Sequence, residues 1–379
     1  MLNEYDYIVV GAGVVGLAIT GHLAKKNKKV LLVEQNDYGT AASGTNLGQL
    51  SVTDRNPGLE IEMVRETFAA YAEANAEYKL EYLRKGGLCT LETDEDIAIA
   101  ERLVPEKKAK GYDLELLYGD EITRVEPYIE NLKGGVYSPD EGRINPFKVN
   151  HWLMQEALDA GAKYLSYTKV HSFEETKTGI TCITSDRSYT AKKVVLATGS
   201  WSKELLSGIG VDLPIDYIRG TAMVTQTFPK MINGPVEDGA FFTGNVPDGD
   251  TIYFGGVQEE NGSIVIAQAN RVGVDYNTEV DNLDLTKMAK LFLSHFPVLK
   301  DIQIVRSWSG NTTTTQDDEP FWGFCQNHPR LFLAIAFKGA FSLAPAVGRR
   351  TADWLVDGCY DERYEKWSPN RMGLNKEEA

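Results

Sequence analysis

The clearest chemical signal in the sequence is a glycine-rich turn, Gly11-Ala12-Gly13-Val14-Val15-Gly16, between an apolar strand pattern and helically spaced apolar residues. In such a turn the first glycine permits the tight bend, the second lets the backbone approach a pyrophosphate, and the third lets the helix pack on the strand. The helix N-terminus then offers free N–H groups to the phosphates. The next apolar strand pattern ends on Glu34, whose carboxylate can bind ribose hydroxyls and would repel a 2′-phosphate. The spacing predicts a dinucleotide site and argues against NADP.

Charge and composition limit the other classes of function. The chain has 39 Lys and Arg against 54 Asp and Glu, a net charge of −15, whereas nucleic acids are bound by clustered cations. We therefore expect no nucleic-acid partner. No run approaches the roughly 18 apolar residues of a membrane span, and the acidic N-terminus does not suit a secretory signal. We expect a cytoplasmic enzyme without a transmembrane segment. The scattered cysteines and histidines lack the spacing of metal ligands, so no metal site is predicted.

The elements that must position this site alternate between helix and strand patterns at both ends of the chain. From residue 214 to about 271, short β-type segments are separated by Gly, Asn, Asp and Pro, which is typical of an antiparallel sheet. We predict an α/β fold class, with a Rossmann-like domain (residues 1–80, 145–215 and 320–379) and an inserted, mostly antiparallel β-rich (α+β) substrate domain (81–144 and 216–319). The predicted elements are helices over 59–84, 94–110, 147–160, 285–296 and 345–356, a hairpin around 89–92, and apolar strands at 194–197 and 331–336.

Three further stretches resemble the superfamily of flavoproteins that contains D-amino-acid oxidase, glycine oxidase, sarcosine oxidases and glycerol-3-phosphate dehydrogenases. They are residues 42–50, 194–202 and 343–348, and residues 367–371 resemble the C-terminal signature of that family. In the family, the first stretch passes along the flavin ring, the second is a further FAD strand, and the third opens a helix directed at the flavin. Because the stretches follow the family's order over nearly the whole chain, the resemblance implies the family's fold and FAD as the cofactor.

The resemblance also implies the contacts to FAD. Small residues let the backbone reach the isoalloxazine edge, and Lys338 or the helix beginning at Pro345 would place positive charge near N1 and C2=O. Positions at which some members attach FAD covalently hold Thr45, Asn46 and Gly310, so noncovalent FAD is expected. The predicted FAD-binding residues are Gly11, Gly13, Val15, Gly16, Glu34, Gln35, Ser43, Asn46, Gly48, Gln49, Val170, Thr198, Gly199, Trp201, Gly339, Phe341, Ser342 and Leu343.

The substrate end departs from the family pattern. In glycine and D-amino-acid oxidases an arginine that binds the substrate carboxylate follows a Trp-x-Gly stretch, and the matching position here is Thr312. The candidates that could replace it are Arg55, Lys338, Arg219 and Arg306, and Tyr253 matches a tyrosine placed over the substrate. We predict Arg55, Tyr253 and Lys338 as the catalytic set. The threonines at 312–315 either present hydroxyls to a polar substrate or form an ordinary strand.

The resemblance implies an FAD-dependent oxidase or dehydrogenase that oxidises the C–N bond of a small amino acid or secondary amine by hydride transfer to flavin N5. Two alternatives stay open: a flavin dehydrogenase of a hydroxy acid or polyol phosphate, and an FAD-carrying subunit of an electron-transfer complex. The family's Gly-His stretch is altered at residues 334–342. The electron acceptor is therefore open between oxygen and an unknown partner, and an oligomer is possible.

Overall fold

The computed structural model describes residues 4–247, 249–273 and 276–372 of the chain. Its strands are β1 (Tyr5–Val10), β2 (Val30–Val33), β3 (Gln49–Leu50), β4 (Gly87–Leu91), β5 (Glu115–Leu117), β6 (Gly134–Ser138), β7 (Gly142–Arg143), β8 (Lys163–Leu165), β9 (Val170–Glu175), β10 (Ile180–Thr184), β11 (Ser188–Leu196), β12 (Ile215–Thr227), β13 (Val236–Asp238), β14 (Thr251–Ile252), β15 (Gly255–Gln258), β16 (Ser263–Val272), β17 (Ile304–Thr315), β18 (Phe321–Cys325) and β19 (His328–Ile335). Its α-helices are α1 (Val14–Lys25), α2 (Ala42–Thr45), α3 (Leu59–Tyr78), α4 (Asp94–Ala109), α5 (Asp120–Val125), α6 (Pro146–Asp159), α7 (Ser202–Ser207), α8 (Ala240–Thr243), α9 (Asn282–His295) and α10 (Ala344–Ala352). Short 3₁₀ turns occur at Gly199–Trp201, Pro297–Leu299, Ala340–Ser342 and Glu362–Trp367, and a π-helical turn at Asp353–Asp357.

A first sheet has a parallel centre in the order β19-β11-β1-β2-β8, with β18 antiparallel to β19 and the β9-β10 pair antiparallel to β11. The ends of β1, β11 and β19 lie in register, with Val10 opposite Leu196 and Leu196 opposite Leu333. The carboxyl ends of these strands therefore meet at one edge, which is where ligands bind in open α/β sheets.

Alternate residues of this sheet enter different cores, as the two-residue period of a strand requires. Val9 and Leu32 face a core shared with α1, α3, α6 and α10. Ile8 and Leu31 face a core shared with β9, β10 and the segment around Leu205. Burial on both faces explains why these strands read as unbroken apolar runs.

A second sheet has the order β17-β12-β16-β15-β13-β4-β6-β5, with β14 beside β16, and only its β13-β4 pair is parallel within the described residues. Helix α9 packs Met288 and Phe292 on this sheet together with Phe254 and Phe296. The predicted hairpin around residues 89–92 is wrong. Strand β4 pairs with β13 and β6, since the capping box of Thr93 and Asp96 starts α4 directly after it and leaves no room for a return strand.

Helix boundaries differ from the predictions where local capping decides them. Helix α3 ends at Tyr78 rather than at residue 84, because Lys79 takes a left-handed conformation with φ 51°. Helix α9 begins earlier than predicted because the Asp281 side chain accepts a hydrogen bond from the Leu283 N–H. The predicted last helix divides into α10 and the π-helical turn that Gly358 ends.

The predicted α/β class is confirmed, with a Rossmann-like β1-α1-β2 unit and a separate, mostly antiparallel sheet. The first sheet takes its strands from residues 5–33, 163–196 and 321–335, and the second from 87–138 and 215–315. On this basis we propose the two-domain division stated above. In the described ranges no helix is both long and apolar enough to cross a bilayer.

Glu126, at the end of α5, is a buried carboxyl group. It is 3% exposed and accepts hydrogen bonds from the Asn233 and Gly234 N–H groups at 2.7 to 3.0 Å. Burial nevertheless raises its pKa to about 7. Glu126 ionises at about pH 4.3 in the unfolded chain, but only at about pH 7 in the folded protein. Between these two values the unfolded state gains ionisation that the folded state resists, so the stability of the fold decreases as the pH rises.

We therefore expect Glu126→Gln to gain stability relative to the wild type as the pH rises from 5 to 8, by up to about 3 kcal/mol. The glutamine amide keeps one acceptor oxygen for the backbone N–H groups, and it does not titrate between pH 5 and 8. Urea unfolding at pH 5, 6, 7 and 8 measures the difference, with Glu130→Gln as an exposed control. If the stability difference between Glu126→Gln and the wild type does not change with pH, Glu126 is not buried as a neutral acid.

Candidate functional site

A cavity of about 550 Å³ extends from the carboxyl edge of the first sheet to the face of the second sheet. Its walls come from the ends of β1, β2 and β11, from α2 and the segment after it, from strands β12 and β15 to β17, and from residues 334–341. The glycine-rich turn, residues 42–50 and residues 194–202 thus contribute to one continuous space although they are far apart in the chain, whereas residues 343–348 and 367–371 are not on its wall.

The glycine-rich turn forms one end of the cavity, and its conformation requires glycine. Gly11 has φ 101°, and a Cβ atom there would overlap the Ala197 carbonyl oxygen at the end of β11. A Cβ atom at Gly16 would overlap the Gly11 carbonyl oxygen. Gly13 lies at the cavity surface as the N-cap of α1. The turn therefore leaves an open backbone surface at a helix N-terminus, which suits a pyrophosphate.

Glu34 lies beside this turn, directly after β2. One carboxylate oxygen accepts a hydrogen bond from the Ala12 N–H at 2.8 Å and the other from the Asn36 N–H at 2.9 Å. These bonds fix the carboxylate on the cavity wall, where its remaining lone pairs can receive ribose hydroxyls. The residues present therefore fit an adenine dinucleotide.

Most residues predicted to bind FAD line the cavity. Those on its wall are Gly11, Gly13, Val15, Glu34, Gln35, Ser43, Asn46, Gln49, Val170, Thr198, Gly199, Trp201, Gly339 and Phe341. Their assignment as FAD contacts stays a prediction.

Four predicted residues lie behind the wall instead: Gly16, Gly48, Ser342 and Leu343. A Cβ atom at Gly48 would overlap the Ile144 carbonyl oxygen, and Ser342 and Leu343 are buried where α10 begins. All four contribute to the packing behind the wall, and their assignment as FAD contacts also stays a prediction. The first residues of α10 are not on the cavity wall either.

Arg55 lies on the cavity wall but is only 5% exposed. Its Nε is 3.1 Å from the Asp54 carboxylate, and its Nη1 donates hydrogen bonds to Glu60 at 3.3 Å and to the Lys338 carbonyl oxygen at 3.0 Å. Burial opposes its charge, but the Asp54 and Glu60 carboxylates outweigh burial and raise the pKa of Arg55. The guanidinium is thus held in place by protein groups before any substrate arrives.

The other two predicted catalytic residues also line the cavity. Tyr253 is buried and packs its ring 4.7 Å from that of Phe241, and burial raises the pKa of its hydroxyl group. Lys338 is 57% exposed and lies 3.6 Å from Asp318. The structure brings both to the cavity that contains Arg55.

Thr312 lies on the wall as predicted, within strand β17. The run of threonines is therefore a strand, and residues 312–314 also face the cavity. Two further cations considered as replacements for the missing arginine are not part of the wall. Arg219 bonds to the Asn277 side chain, and the Arg306 guanidinium lies 5.9 Å from the Trp308 ring centroid.

Sequence analysis missed Glu237, Asp54 and Gln268, which also line the cavity. Glu237 is in the three-residue strand β13 and Gln268 is inside β16, and neither belongs to a recognisable motif. Asp54 precedes Arg55 in the chain, and a buried arginine requires a carboxylate partner. The expected pairing of Arg55 with a neighbouring acid was the one signal in the sequence that could have identified Asp54.

The chain matches the family model for FAD dependent oxidoreductases over residues 6–354. It is 27% identical to a glycine oxidase of Bacillus licheniformis over 94% of each protein. It is 25% identical to the monomeric sarcosine oxidase of Bacillus sp. (strain B-0618), over 99% of this chain and 98% of that protein. Its fold matches the crystal structure of glycine oxidase from Geobacillus kaustophilus with a TM-score of 0.87, over 98% and 99% of the two chains at 22% identity.

The predicted resemblance is thereby confirmed, and the dinucleotide that the cavity accommodates is FAD. The chain belongs to the FAD dependent oxidoreductase family, and it is an FAD-dependent oxidoreductase.

Proposed function

We propose that the protein oxidises the C–N bond of a small amino acid or secondary amine, with noncovalent FAD as the hydride acceptor. The curated relatives named above, a glycine oxidase and a sarcosine oxidase, support an amine substrate. When bound, FAD supplies N5 as the acceptor of a hydride. The protein's part is then to orient the amine, to exclude water and to control the protons of the amine.

The charge balance of the cavity is the observation that favours an amine over a polyol phosphate. Among the described residues, the cations on the wall are Arg55, Lys169 and Lys338. Each already pairs with a carboxylate: Arg55 with Asp54, Lys169 with Glu204 at 3.2 Å, and Lys338 with Asp318. Against these three cations the described residues of the wall contribute six carboxyl groups. This excess of acid favours a cationic amine over a dianionic phosphate.

Two groups support the orientation of a substrate. Lys338 is exposed at the wall and can exchange Asp318 for a substrate carboxylate, because exposed ion pairs are worth only about 0–1 kcal/mol. Arg55 holds the Lys338 carbonyl oxygen and so fixes the turn from which that lysine projects. We assign Lys338 as the carboxylate anchor and Arg55 as a positioning residue. Tyr253 and Phe241 supply an apolar wall that excludes water.

An anaerobic screen tests the proposal. Purified holoprotein is mixed with glycine, N-methylglycine, proline, lactate or glycerol phosphate, and bleaching of the flavin absorbance is followed. We expect an amine to bleach the flavin faster than any hydroxy compound. Bleaching by lactate or glycerol phosphate alone would favour the alternative dehydrogenase. No bleaching by any compound, together with fixed partners on purification, would favour the electron-transfer subunit.

Glu34→Ala should weaken FAD binding about ten- to a hundredfold, because it removes charged acceptors worth roughly 1.5–3 kcal/mol. It also frees the Ala12 N–H that positions the turn. Titration of the apoprotein with FAD measures the dissociation constant, with the exposed Glu174→Ala as a control. Equal affinity in the two variants would remove Glu34 from the FAD site.

Arg55→Ala should destabilise the protein by about 3–5 kcal/mol, because it leaves Asp54 and Glu60 without their buried cation. Arg55→Lys keeps the charge and should recover part of this loss. Chemical unfolding compares the two variants, and Lys338→Ala serves as an exposed control that should change stability by less than about 1 kcal/mol. If Arg55→Ala is as stable as the wild type, Arg55 does not organise the site.

A further inference from the structure

Glu237 differs from every other carboxyl group that the described residues contribute to the cavity wall. Glu34 is held by backbone N–H groups, Asp54 by Ser51 and Arg55, Glu204 by Lys169, and Asp318 by Lys338. The remaining one, Asp37, accepts hydrogen bonds from the Tyr38 N–H and the Tyr164 hydroxyl. Glu237 is 8% exposed, and its Oε1 has no hydrogen-bond partner within the described ranges. It is a nearly buried carboxyl group with no protein partner for that oxygen.

The surroundings of Glu237 are rich in acid. Glu141 is fully buried, and its Oε1 accepts hydrogen bonds from the Val52 N–H, the Thr53 N–H and the Thr53 hydroxyl at 2.6 to 3.1 Å. Two cations lie near these acids: Arg55 is shared with Asp54 and Glu60, and Lys107 donates to the Thr53 carbonyl oxygen while its charge acts on Asp54 and Glu141. Burial, followed by the Glu141 carboxylate, raises the pKa of Glu237 well above its usual range. The groups that face Glu237 from the elements around it are Gln49, Asp54, Arg55, Cys89 and Glu141.

Packing alone does not account for this arrangement. Two buried acids beside one another lower stability unless a cation or a shared proton compensates them. Glu237 pairs in the sheet with Gly255, which has no side chain, and with Cys89, which is a weak donor. The Gln49 amide beside it acts as a hydrogen-bond donor that lowers the pKa of Glu237, but this amide carries no charge. The missing compensation is a cation, and the position on the wall allows a ligand to bring it.

An amine substrate is such a cation, because amino-acid nitrogens are protonated at neutral pH. The nitrogen must lose that proton before its α-carbon can lose a hydride, since its lone pair stabilises the positive charge that develops. A buried carboxylate with a strong proton affinity is a suitable acceptor.

Resting on the proposed amine oxidation, we propose that the Glu237 carboxyl group binds the ammonium group of the substrate and takes up its proton. In this step a substrate N–H bond breaks and an O–H bond to Glu237 forms, so that an ammonium and a carboxylate become a neutral amine and a carboxylic acid. When Glu237 is protonated before binding, that first proton goes to water. The hydride then leaves a neutral amine. Glu237 is thus a catalytic residue that selects amines over hydroxy compounds.

The test compares Glu237→Gln with Glu126→Gln, a matched control whose buried carboxyl group lies outside the cavity. The amine that bleaches wild-type flavin fastest in the anaerobic screen is the probe. In the wild type and the control, we expect bleaching to change little between the pKa of Glu237 and that of the amine. In Glu237→Gln, the rate at pH 7 should fall about a hundredfold and rise tenfold per pH unit. Glu237→Asp should retain part of the wild-type profile.

A binding measurement keeps the proposal falsifiable without turnover. 2-Methylproline lacks the hydrogen of the α-carbon, and 2-methyltetrahydrofuran-2-carboxylate replaces its nitrogen by oxygen. Perturbation of the flavin spectrum at pH 7 measures the affinity for both ligands. The wild type should bind 2-methylproline at least tenfold more tightly than the oxygen analogue, and Glu237→Gln should show no such preference. An unchanged preference in the variant, or no preference in the wild type, overturns the proposal for Glu237. Bleaching by hydroxy compounds alone would instead overturn the proposed function.

Discussion

The buried guanidinium of Arg55 is the interaction on which the site depends. It joins Asp54, Glu60 at the start of α3, and the Lys338 carbonyl oxygen in the turn before α10, while the Tyr112 hydroxyl donates to the Arg55 carbonyl oxygen. Gly339 is required beside it, because a Cβ atom there would overlap Nη2. The guanidinium thus links residues 54–60, at the start of α3, to the turn before α10. It fixes this part of the cavity wall.

This constraint determines the charge of the substrate end. Because Arg55 pairs directly with Asp54 and Glu60, its charge lowers the pKa of Glu237 less than burial and the Glu141 carboxylate raise it. The cavity therefore combines a dinucleotide end built from glycines and backbone N–H groups with a substrate end that has unpaired acid. The first end binds the anionic cofactor and the second suits a cationic amine. The position that matches the family's carboxylate-binding arginine holds Thr312, which agrees with the proposed recognition of the substrate through its nitrogen.

The dinucleotide end was predictable from sequence because its chemistry is local. Because the turn excludes side chains at Gly11 and Gly16, the two glycines recur at a recognisable spacing in the sequence. Glu34 follows them at the distance that one helix and one strand require. The substrate end was not predictable from sequence, because the role proposed for Glu237 depends on Glu141 and Arg55, which are distant from it in the chain. The same contrast explains the hairpin predicted at residues 89–92. Strand β4 finds its partners through long-range packing, which no local pattern contains.

A crystal structure of the holoprotein with 2-methylproline bound tests the central claim most directly. The account predicts the ligand nitrogen at about 2.7–3.0 Å from a carboxylate oxygen of Glu237, and the ligand carboxylate toward Lys338. A nitrogen that points away from Glu237, with that carboxyl group bonded to protein or water instead, would contradict it.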